Sequence, residues 1–365
     1  MSRSSRVAWC AYAAALVAVL AACESDDRTP ATDSAGLPSA EAVRVDLAGA
    51  GATFPYPLYA RWFNAYAQRS NVRINYHSVG SGDGIARMLD GSVDFGATES
   101  PMTEAEMARA SAPIIHIPTI LGAVAITYNL PELKRPLRVS GEVLADIFLG
   151  RITRWNDAQL VALNPGAALP ASSMTVVHRS DASGTTFVFS DYLSTVDGRW
   201  RSGPGKGRQL EWPVGVGGGG NEGVAGHVKQ TVGSIGYVEV VYARQNRLPV
   251  AHVRNGAGRF VSPMPFEIAS AAANVSASGD NGELEHSLVD APGNQAYPIV
   301  SFTWILVSPD RLGPVKLRQL RSFLRWALVD GSEIATSMGY VALPKATATR
   351  VIGLLDTLAS PDRRP

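Results

Sequence analysis

The pattern that most constrains the fold is an alternation of strand-like and helix-like segments separated by glycine-rich turns. Apolar and polar residues alternate at the start of 43–51, which predicts a strand, and 53–70 carries apolar residues at helical spacing. Strand, glycine turn and helix recur at 72–92 and at 174–196. This alternation favours an α/β fold, in which ligands bind at the turns after the carboxyl ends of the strands.

Several local predictions accompany this reading. Thr53 is a candidate cap for the first helix and Ser140 for a helix over 140–150. We interpret 113–129 as two buried strands and 214–230 as a flexible glycine loop that leads into a helix. A strong amphipathic helix is predicted near the end of the chain, with a leucine stripe formed by Leu317, Leu320, Leu324 and Leu328.

The amino-terminal residues have the pattern of a bacterial lipoprotein signal. Two arginines precede an apolar run of signal-peptide length, too short for a comfortable membrane span, which ends in "LAAC". We therefore predict a signal peptide at 1–22 and lipidation of Cys23, although a plain secretory signal remains an alternative. Residues 23–42 are rich in Ser, Thr, Pro, Ala and acidic residues, which is typical of a flexible tether.

Composition narrows the class of protein further. The chain has two cysteines, Cys10 and Cys23, so none is left for a disulfide in the body that follows the tether. About 320 residues remain there, roughly two domains. A formal net charge of +1 provides no basic field, so we expect no nucleic-acid partner. The six histidines show no metal-ligand spacing, and we expect no metal and no cofactor.

Three turns share one local design that suits an anion. At Thr53-Phe54, at Ser81 and at Ser183-Gly184-Thr185, a predicted strand ends, small or hydroxyl residues follow, and a helix begins. Helix amino termini offer unpaired N–H groups and a partial positive charge. One such turn is an ordinary cap, but three in one chain predict convergence on an anion.

Arg179 adds a full positive charge with a planar fork that suits phosphate-like oxygens. Asp181, two residues later, could orient the guanidinium. The plainer interpretation is a surface ion pair between the two, which would contribute little.

A hydrolase is the competing interpretation of the stretch "HRSDASGTTF", because it contains His, Ser and Asp. However, the chain lacks a G-x-S-x-G elbow, and strand alternation should point His178 away from the face of Arg179. We therefore predict no catalytic residues.

An ordered set of motifs resembles the periplasmic phosphate-binding protein of the bacterial phosphate-specific ABC transporter, the PstS type. The set runs from about Val45 to the C-terminal helix and comprises "GAGATFPYPLYARW", "VGSGDGIARMLDGSVDFGATESPM", "IFLGRITRWND", "HRSDASGTTFVFSDYL" and "GSIGYVEVVYA". Each motif is modest alone, but the ordered set is specific.

The resemblance implies a type II periplasmic-binding-protein fold, with two α/β lobes joined by two crossover strands near Gly122–Asn129 and Tyr297–Thr303. Lobe one would comprise 43–125 plus 300–360, and lobe two 126–299. The family function is high-affinity binding of inorganic phosphate for a membrane permease and ATPase, so the chain would be an exported, lipid-anchored monomer and not an enzyme.

The resemblance also implies the site residues, which are Thr53, Phe54 (through its N–H), Ser81, Glu99, Arg179, Asp181, Ser183, Gly184 and Thr185. One position departs from the family: its usual "DFGASD" ends in an aspartate, and this chain has "DFGATE", which ends in Glu99. A buried carboxylate there accepts the proton that phosphate carries and repels sulfate, which carries none. Ser100 or a water could accept instead, and the longer glutamate could favour another tetrahedral oxyanion such as arsenate.

Overall fold

The computed structural model describes residues 44–277 and 287–358. The predicted signal peptide at 1–22, the tether at 23–42 and Cys23 lie outside the described residues. The strands within the described ranges are β1 (Val45–Gly51), β2 (Val72–Ser78), β3 (Phe95–Thr98), β4 (Ile115–Tyr128), β5 (Arg138–Val139), β6 (Thr175–Arg179), β7 (Val216–Gly218), β8 (Ser234–Glu239), β9 (His252–Arg254), β10 (Phe260–Val261), β11 (Val300–Val307) and β12 (Val341–Ala342).

Helices alternate with most of these strands. Those in the described ranges are α1 (Tyr56–Ala67), α2 (Ser81–Asp90), α3 (Glu104–Arg109), α4 (Gly141–Phe148), α5 (Ala158–Leu163), α6 (Gly184–Val196), α7 (Gly198–Ser202), α8 (Gly220–Gln230), α9 (Val240–Gln245), α10 (Pro265–Ala277), α11 (Pro314–Leu328), α12 (Ser332–Met338) and α13 (Lys345–Thr357). In this part of the chain, no helix has the length and apolar character needed to cross a bilayer. Ser140 caps α4 as predicted, accepting from the Val143 N–H.

A nine-stranded mixed sheet organises the molecule in the order β2-β1-β3-β11-β4-β8-β6-β7, with β12 also paired to β4. β1 runs parallel to β2 and β3, and β6 runs parallel to β7 and β8. Two parallel groups therefore flank the antiparallel pair β11–β4. The three turns predicted from the sequence follow the carboxyl ends of β1, β2 and β6, and Glu99 directly follows β3.

β4 is the strand that connects the two groups, and the prediction of two strands over 113–129 was wrong. Its 14 residues are continuous: 115–123 pair with β11 and 124–128 with β8. Pro118, within this strand, has no N–H to donate to the sheet ladder. The sheet accommodates it with a register shift between Thr303 and Trp304 on the opposite strand.

The helices α1 and α11 pack together beneath the first group of strands through aromatic side chains. The Phe323 ring lies 5.4 Å from the Phe63 ring and 5.3 Å from the Tyr66 ring, between centroids. Aromatic pairs of this kind contribute about 0.5–1.5 kcal/mol each beyond the area they bury. The predicted leucine stripe of α11 packs against the same core, with Leu320 and Leu324 buried and Leu317 and Leu328 partly buried.

Thr53 does not cap α1 as the sequence had indicated. The helix begins at Tyr56, and the capping position is Pro55, which makes no side-chain cap. The Thr53 hydroxyl oxygen is instead occupied by hydrogen bonds from Asn221, 168 residues away in the sequence. A tertiary contact has thus replaced the local one.

The glycine-rich stretch at 214–220 is also more ordered than predicted. Residues 216–218 form β7 beside β6, and α8 begins at Gly220, which has a φ of 69°. A Cβ at Gly218 would lie 2.6 Å from the backbone nitrogen of Val224, so these glycines permit close approach of two backbone segments. The glycines that suggested a flexible loop therefore allow β7 and the start of α8 to pack closely together.

Candidate functional site

The first wall of the site is the turn after β1, and three tyrosines fix its peptide groups. Three tyrosine hydroxyls donate to successive carbonyl oxygens: Tyr76 to Ala52 at 2.9 Å, Tyr242 to Thr53 at 2.6 Å and Tyr340 to Phe54 at 2.8 Å. In a trans peptide the N–H points opposite to the carbonyl. The Thr53 carbonyl and the Phe54 N–H belong to the same peptide group. By holding the carbonyl, Tyr242 therefore directs the Phe54 N–H to the opposite side.

The Phe54 side chain anchors the same turn in the core. It is fully buried, and a Cβ on Gly122 of β4 would overlap its ring. The glycine of the central strand thus makes room for the ring. The backbone of the turn is consequently held from both sides.

The second wall is the amino terminus of α2, where Ser81 is fully buried. Gly80 precedes it with a φ of 97°, a conformation that favours glycine. The Ser81 hydroxyl accepts from the Gly184 N–H at 3.1 Å and donates to Glu99 Oε2 at 3.3 Å. Ser81 therefore joins the start of α6 to the carboxyl group of Glu99.

Arg179, the last residue of β6, supplies the buried positive charge; its side chain is only 1% exposed. Its Nε donates to Asp181 Oδ1 at 2.7 Å, and its Nη2 pairs with Asp181 Oδ2. Although burial raises the pKa of Asp181, the hydrogen bonds and charge of Arg179 hold it below its ordinary value. The pair is therefore not the surface ion pair considered from the sequence, and Asp181 orients the guanidinium.

The third wall is the start of α6. Ser183 is the N-cap, and its Oγ accepts from the Thr186 N–H at 3.1 Å. Thr185 Oγ1 accepts from Arg179 Nη1 at 3.2 Å. A Cβ on Gly184 would overlap Glu99 Oε2 and Ser81 Oγ, so a glycine is required where α6 approaches the second wall.

Glu99, directly after β3, is a second carboxyl group that faces these donors. It is 1% exposed; Oε1 accepts from the Thr303 hydroxyl at 3.1 Å and Oε2 from Ser81. Burial raises the pKa of Glu99 to about 8, although the two hydroxyls and the Arg179 charge oppose the shift. Ser100, the alternative acceptor considered from the sequence, donates its hydroxyl hydrogen to the Pro101 carbonyl at 3.2 Å.

Two residues of the site were missed from the sequence. Thr303 lies on β11, far along the chain, in a strand that carried no polar motif. Asn221 follows the glycines at 217–220, where the composition suggested only a loop. The sequence signal that could have identified Asn221 was its position directly after a glycine run, at the start of a predicted helix.

The arrangement does not suit hydrolysis. The His178 ring stacks on Trp212 with centroids 4.8 Å apart, and its Nδ1 lies 2.9 Å from the Arg179 carbonyl oxygen. In the described ranges no hydrogen bond joins His178 to Ser183, so the histidine is not placed as a base. The same ranges contain no group of three His, Cys, Asp or Glu side chains that could hold a metal ion.

What the site can do is bind a tetrahedral oxyanion. Hydroxyl groups, backbone N–H groups and one guanidinium converge from three helix or strand ends, and together they supply donors in excess of acceptors. The nine residues predicted from the sequence lie on the three walls or at the ends of β3 and β6; among them, Ser81 bonds to Glu99 and Gly184, and Arg179 bonds to Asp181 and Thr185.

Known proteins are similar in sequence to this chain over most of its length. A model for the PBP superfamily domain matches residues 29–330. The phosphate-binding protein PstS of Pasteurella multocida is 41% identical over 306 residues, which cover 84% of this chain and 88% of the relative. PstS of Xylella fastidiosa is 40% identical over 309 residues, which cover 84% of each chain.

A solved structure with the same fold is that of a phosphate ABC transporter substrate-binding protein from Clostridium perfringens with bound phosphate. It superposes with a TM-score of 0.61 at 16% identity, covering 82% of this chain and 100% of the other. The likeness concerns the fold, and it confirms the predicted type II periplasmic-binding-protein architecture. Because the superfamily model spans most of the chain and the relatives are about 40% identical over 84% of it, the chain belongs to the PstS family of phosphate-binding proteins.

Proposed function

We propose that this protein binds inorganic phosphate and delivers it to an ABC importer. The observation that carries the proposal is the pairing of a donor-rich cluster around Arg179 with one buried carboxyl group, Glu99, among them. The donors bind the oxyanion, and the carboxyl group recognises its proton. Family membership supports the same function.

Glu99 is the residue that we expect to separate phosphate from sulfate. Above pH 8, where Glu99 is ionised, phosphate still carries a proton that the carboxylate can accept, whereas sulfate presents only negative oxygens to it. A site built around one hydrogen bond can reject a ligand that lacks it by several orders of magnitude. The Thr303 and Ser81 hydroxyls hold the longer glutamate side chain at its two oxygens.

We infer two lobes, 43–125 plus 300–360 and 126–299, that close on the anion. The change of β4 from pairing with β11 to pairing with β8 at 123–124 supports this division. Among the ion pairs between described residues, Arg208–Glu106 is the one that joins the two inferred lobes. The Glu106 carboxylate is held for it by a capping box on Thr103 at the start of α3.

We further propose a monomer that is exported and anchored by lipid on Cys23, next to a membrane permease and its ATPase. The lipoprotein pattern at 1–23 supports the anchor. The protein would transfer its ligand without chemistry, so it is proposed to have no catalytic role. A binding protein of this fold for arsenate is the second candidate, favoured by Glu99 in place of the family's aspartate.

Isothermal titration of the soluble domain tests the function. At about pH 9, where Glu99 is ionised, we expect phosphate to bind with a Kd of about 1 µM or below and sulfate at least about 100-fold more weakly. Arsenate that binds more tightly than phosphate would favour the second candidate. Equal affinity for phosphate and sulfate, or turnover of a chromogenic phosphate ester that Ser183→Ala abolishes, would contradict the proposal.

A further inference from the structure

Asn221 is a fully buried amide that lies between two walls of the site. It stands in the first turn of α8 and makes four hydrogen bonds to described residues outside that helix. These are Asn221 Nδ2 to Thr53 Oγ1 at 2.8 Å, Nδ2 to Thr185 Oγ1 at 3.1 Å, the backbone N–H to Thr53 Oγ1 at 3.3 Å, and Glu239 N–H to Asn221 Oδ1 at 2.8 Å.

The last of these bonds fixes which way the amide faces. The Glu239 backbone N–H can only donate, so the atom it contacts must be the amide oxygen. The amide nitrogen of Asn221 therefore has to face the two threonine hydroxyls. Both of its hydrogens are used there, one for each hydroxyl oxygen.

These bonds leave each threonine hydroxyl with one remaining role. A hydroxyl oxygen has two acceptor positions and one hydrogen to donate. Thr53 Oγ1 accepts twice from Asn221, and Thr185 Oγ1 accepts once from Asn221 and once from Arg179. With both acceptor positions filled, each hydroxyl can only donate, which is the role that an anion requires.

We propose that Asn221 is a positioning residue for anion binding, which sets the hydroxyls of Thr53 and Thr185 as donors before the anion arrives. This inference rests on the proposed phosphate-binding function. Donors that are already oriented need no reorganisation when charge enters the site, so affinity is gained. Asn221 itself need not touch the anion.

The start of α8 supports the same role from its other side. The Gly220 N–H donates to Asp181 Oδ1 at 3.0 Å, and Asp181 in turn orients Arg179. One helix terminus thus fixes both the hydroxyl donors and the guanidinium. This explains why the glycine run closes into an ordered helix start at this position.

The test combines Asn221→Leu with Thr53→Val and measures phosphate binding by titration. Each single variant should raise the Kd about 10-fold or more. Because both remove the same oriented donor, the double variant should be clearly milder than the product of the two single effects. If the effects multiply fully, Asn221 does not act through the Thr53 hydroxyl and the proposal is overturned.

Asn221→Asp provides a second test, in which the amide donor is replaced by an acceptor of the same shape. Aspartate keeps the shape and the bond from Glu239, but its second oxygen accepts from the threonine hydroxyls and turns their hydrogens away from the anion. We expect it to weaken phosphate binding at least as much as Asn221→Leu. A clearly milder effect of Asn221→Asp than of Asn221→Leu would show that only packing matters.

Asn255 offers a matched control, since it is a buried asparagine whose amide donates to three backbone carbonyls outside the site. Asn255→Leu should lower the melting temperature and leave the Kd of the folded protein within about threefold. An equal loss of affinity in this variant would reduce the Asn221 effect to general destabilisation. Failure of the unaltered protein to bind phosphate would instead reject the proposed function itself.

Discussion

Arg179→Met should raise the Kd for phosphate by roughly 100- to 1,000-fold, the largest effect that we expect from a single substitution. The Arg179 side chain is 1% exposed, and it supplies the full positive charge among the site residues. Its removal leaves a desolvated anion without that countercharge. It also leaves Asp181, which is held ionised by Arg179, as an unpaired negative charge beside the anion.

The double variant Arg179→Met/Asp181→Asn separates these two causes. If part of the loss comes from the unpaired carboxylate, the double variant should bind phosphate more tightly than Arg179→Met alone. Arg179→Lys should recover only part of the affinity, because an ammonium group cannot form the bidentate pair that the guanidinium makes with Asp181. Titration calorimetry on folded variants measures all three.

Arg254→Met is the matched control for this series. Arg254 pairs with Glu142 at 3.1 Å, but the two side chains are 38% and 53% exposed and take no part in the site. An exposed pair of this kind contributes little. Its loss should leave the Kd for phosphate within about twofold; an Arg179→Met effect of that same small size would remove Arg179 from the site.

Glu99→Gln is expected to lower the preference for phosphate over sulfate by at least about tenfold. A glutamine amide can accept from phosphate through its oxygen or donate to sulfate through its nitrogen, so it no longer rejects either ligand. Glu142→Gln, at an exposed carboxylate, should leave the preference unchanged. Competition titration of the two anions measures the ratio, and unchanged selectivity in Glu99→Gln would assign the discrimination to another group.

The same residue predicts a pH dependence with a definite sign. Burial raises the pKa of Glu99 to about 8, so below that pH the carboxyl group keeps its proton and can donate to sulfate. Above it, the ionised group repels sulfate but still accepts the proton of phosphate. Sulfate affinity should therefore fall by up to about tenfold per pH unit above pH 8, and the dependence should vanish in Glu99→Gln. A sulfate affinity that is flat across this range, or that rises with pH, would contradict the assignment.

The strand-turn-helix pattern was sufficient to predict the α/β fold and where its functional turns lie. Ser183, Gly184 and Arg179 could be proposed as site residues because helix caps, close approaches and buried charges each demand a particular residue type within a short stretch. Such local signals survive in the sequence. The fold class, in turn, follows from how the pattern repeats along the chain.

Contacts between distant segments could not be predicted in this way. Thr303 reaches Glu99 from 204 residues away, and Asn221 reaches Thr53 from 168. The predicted cap at Thr53 failed for the same reason, since a tertiary donor occupies its hydroxyl oxygen. In 113–129 the apolar run was recognised, but its pairing as one continuous strand depends on β11 and β8, which lie far along the chain.

A crystal structure of the protein grown with phosphate and without sulfate tests the central claim most directly. We expect one phosphate between the three walls, with its oxygens about 2.6–3.2 Å from the Arg179 guanidinium and the hydroxyls of Thr53 and Thr185. One Glu99 oxygen should lie within the same distance of a phosphate oxygen. Phosphate bound elsewhere, or bound with Glu99 turned away and another group accepting its proton, would contradict it.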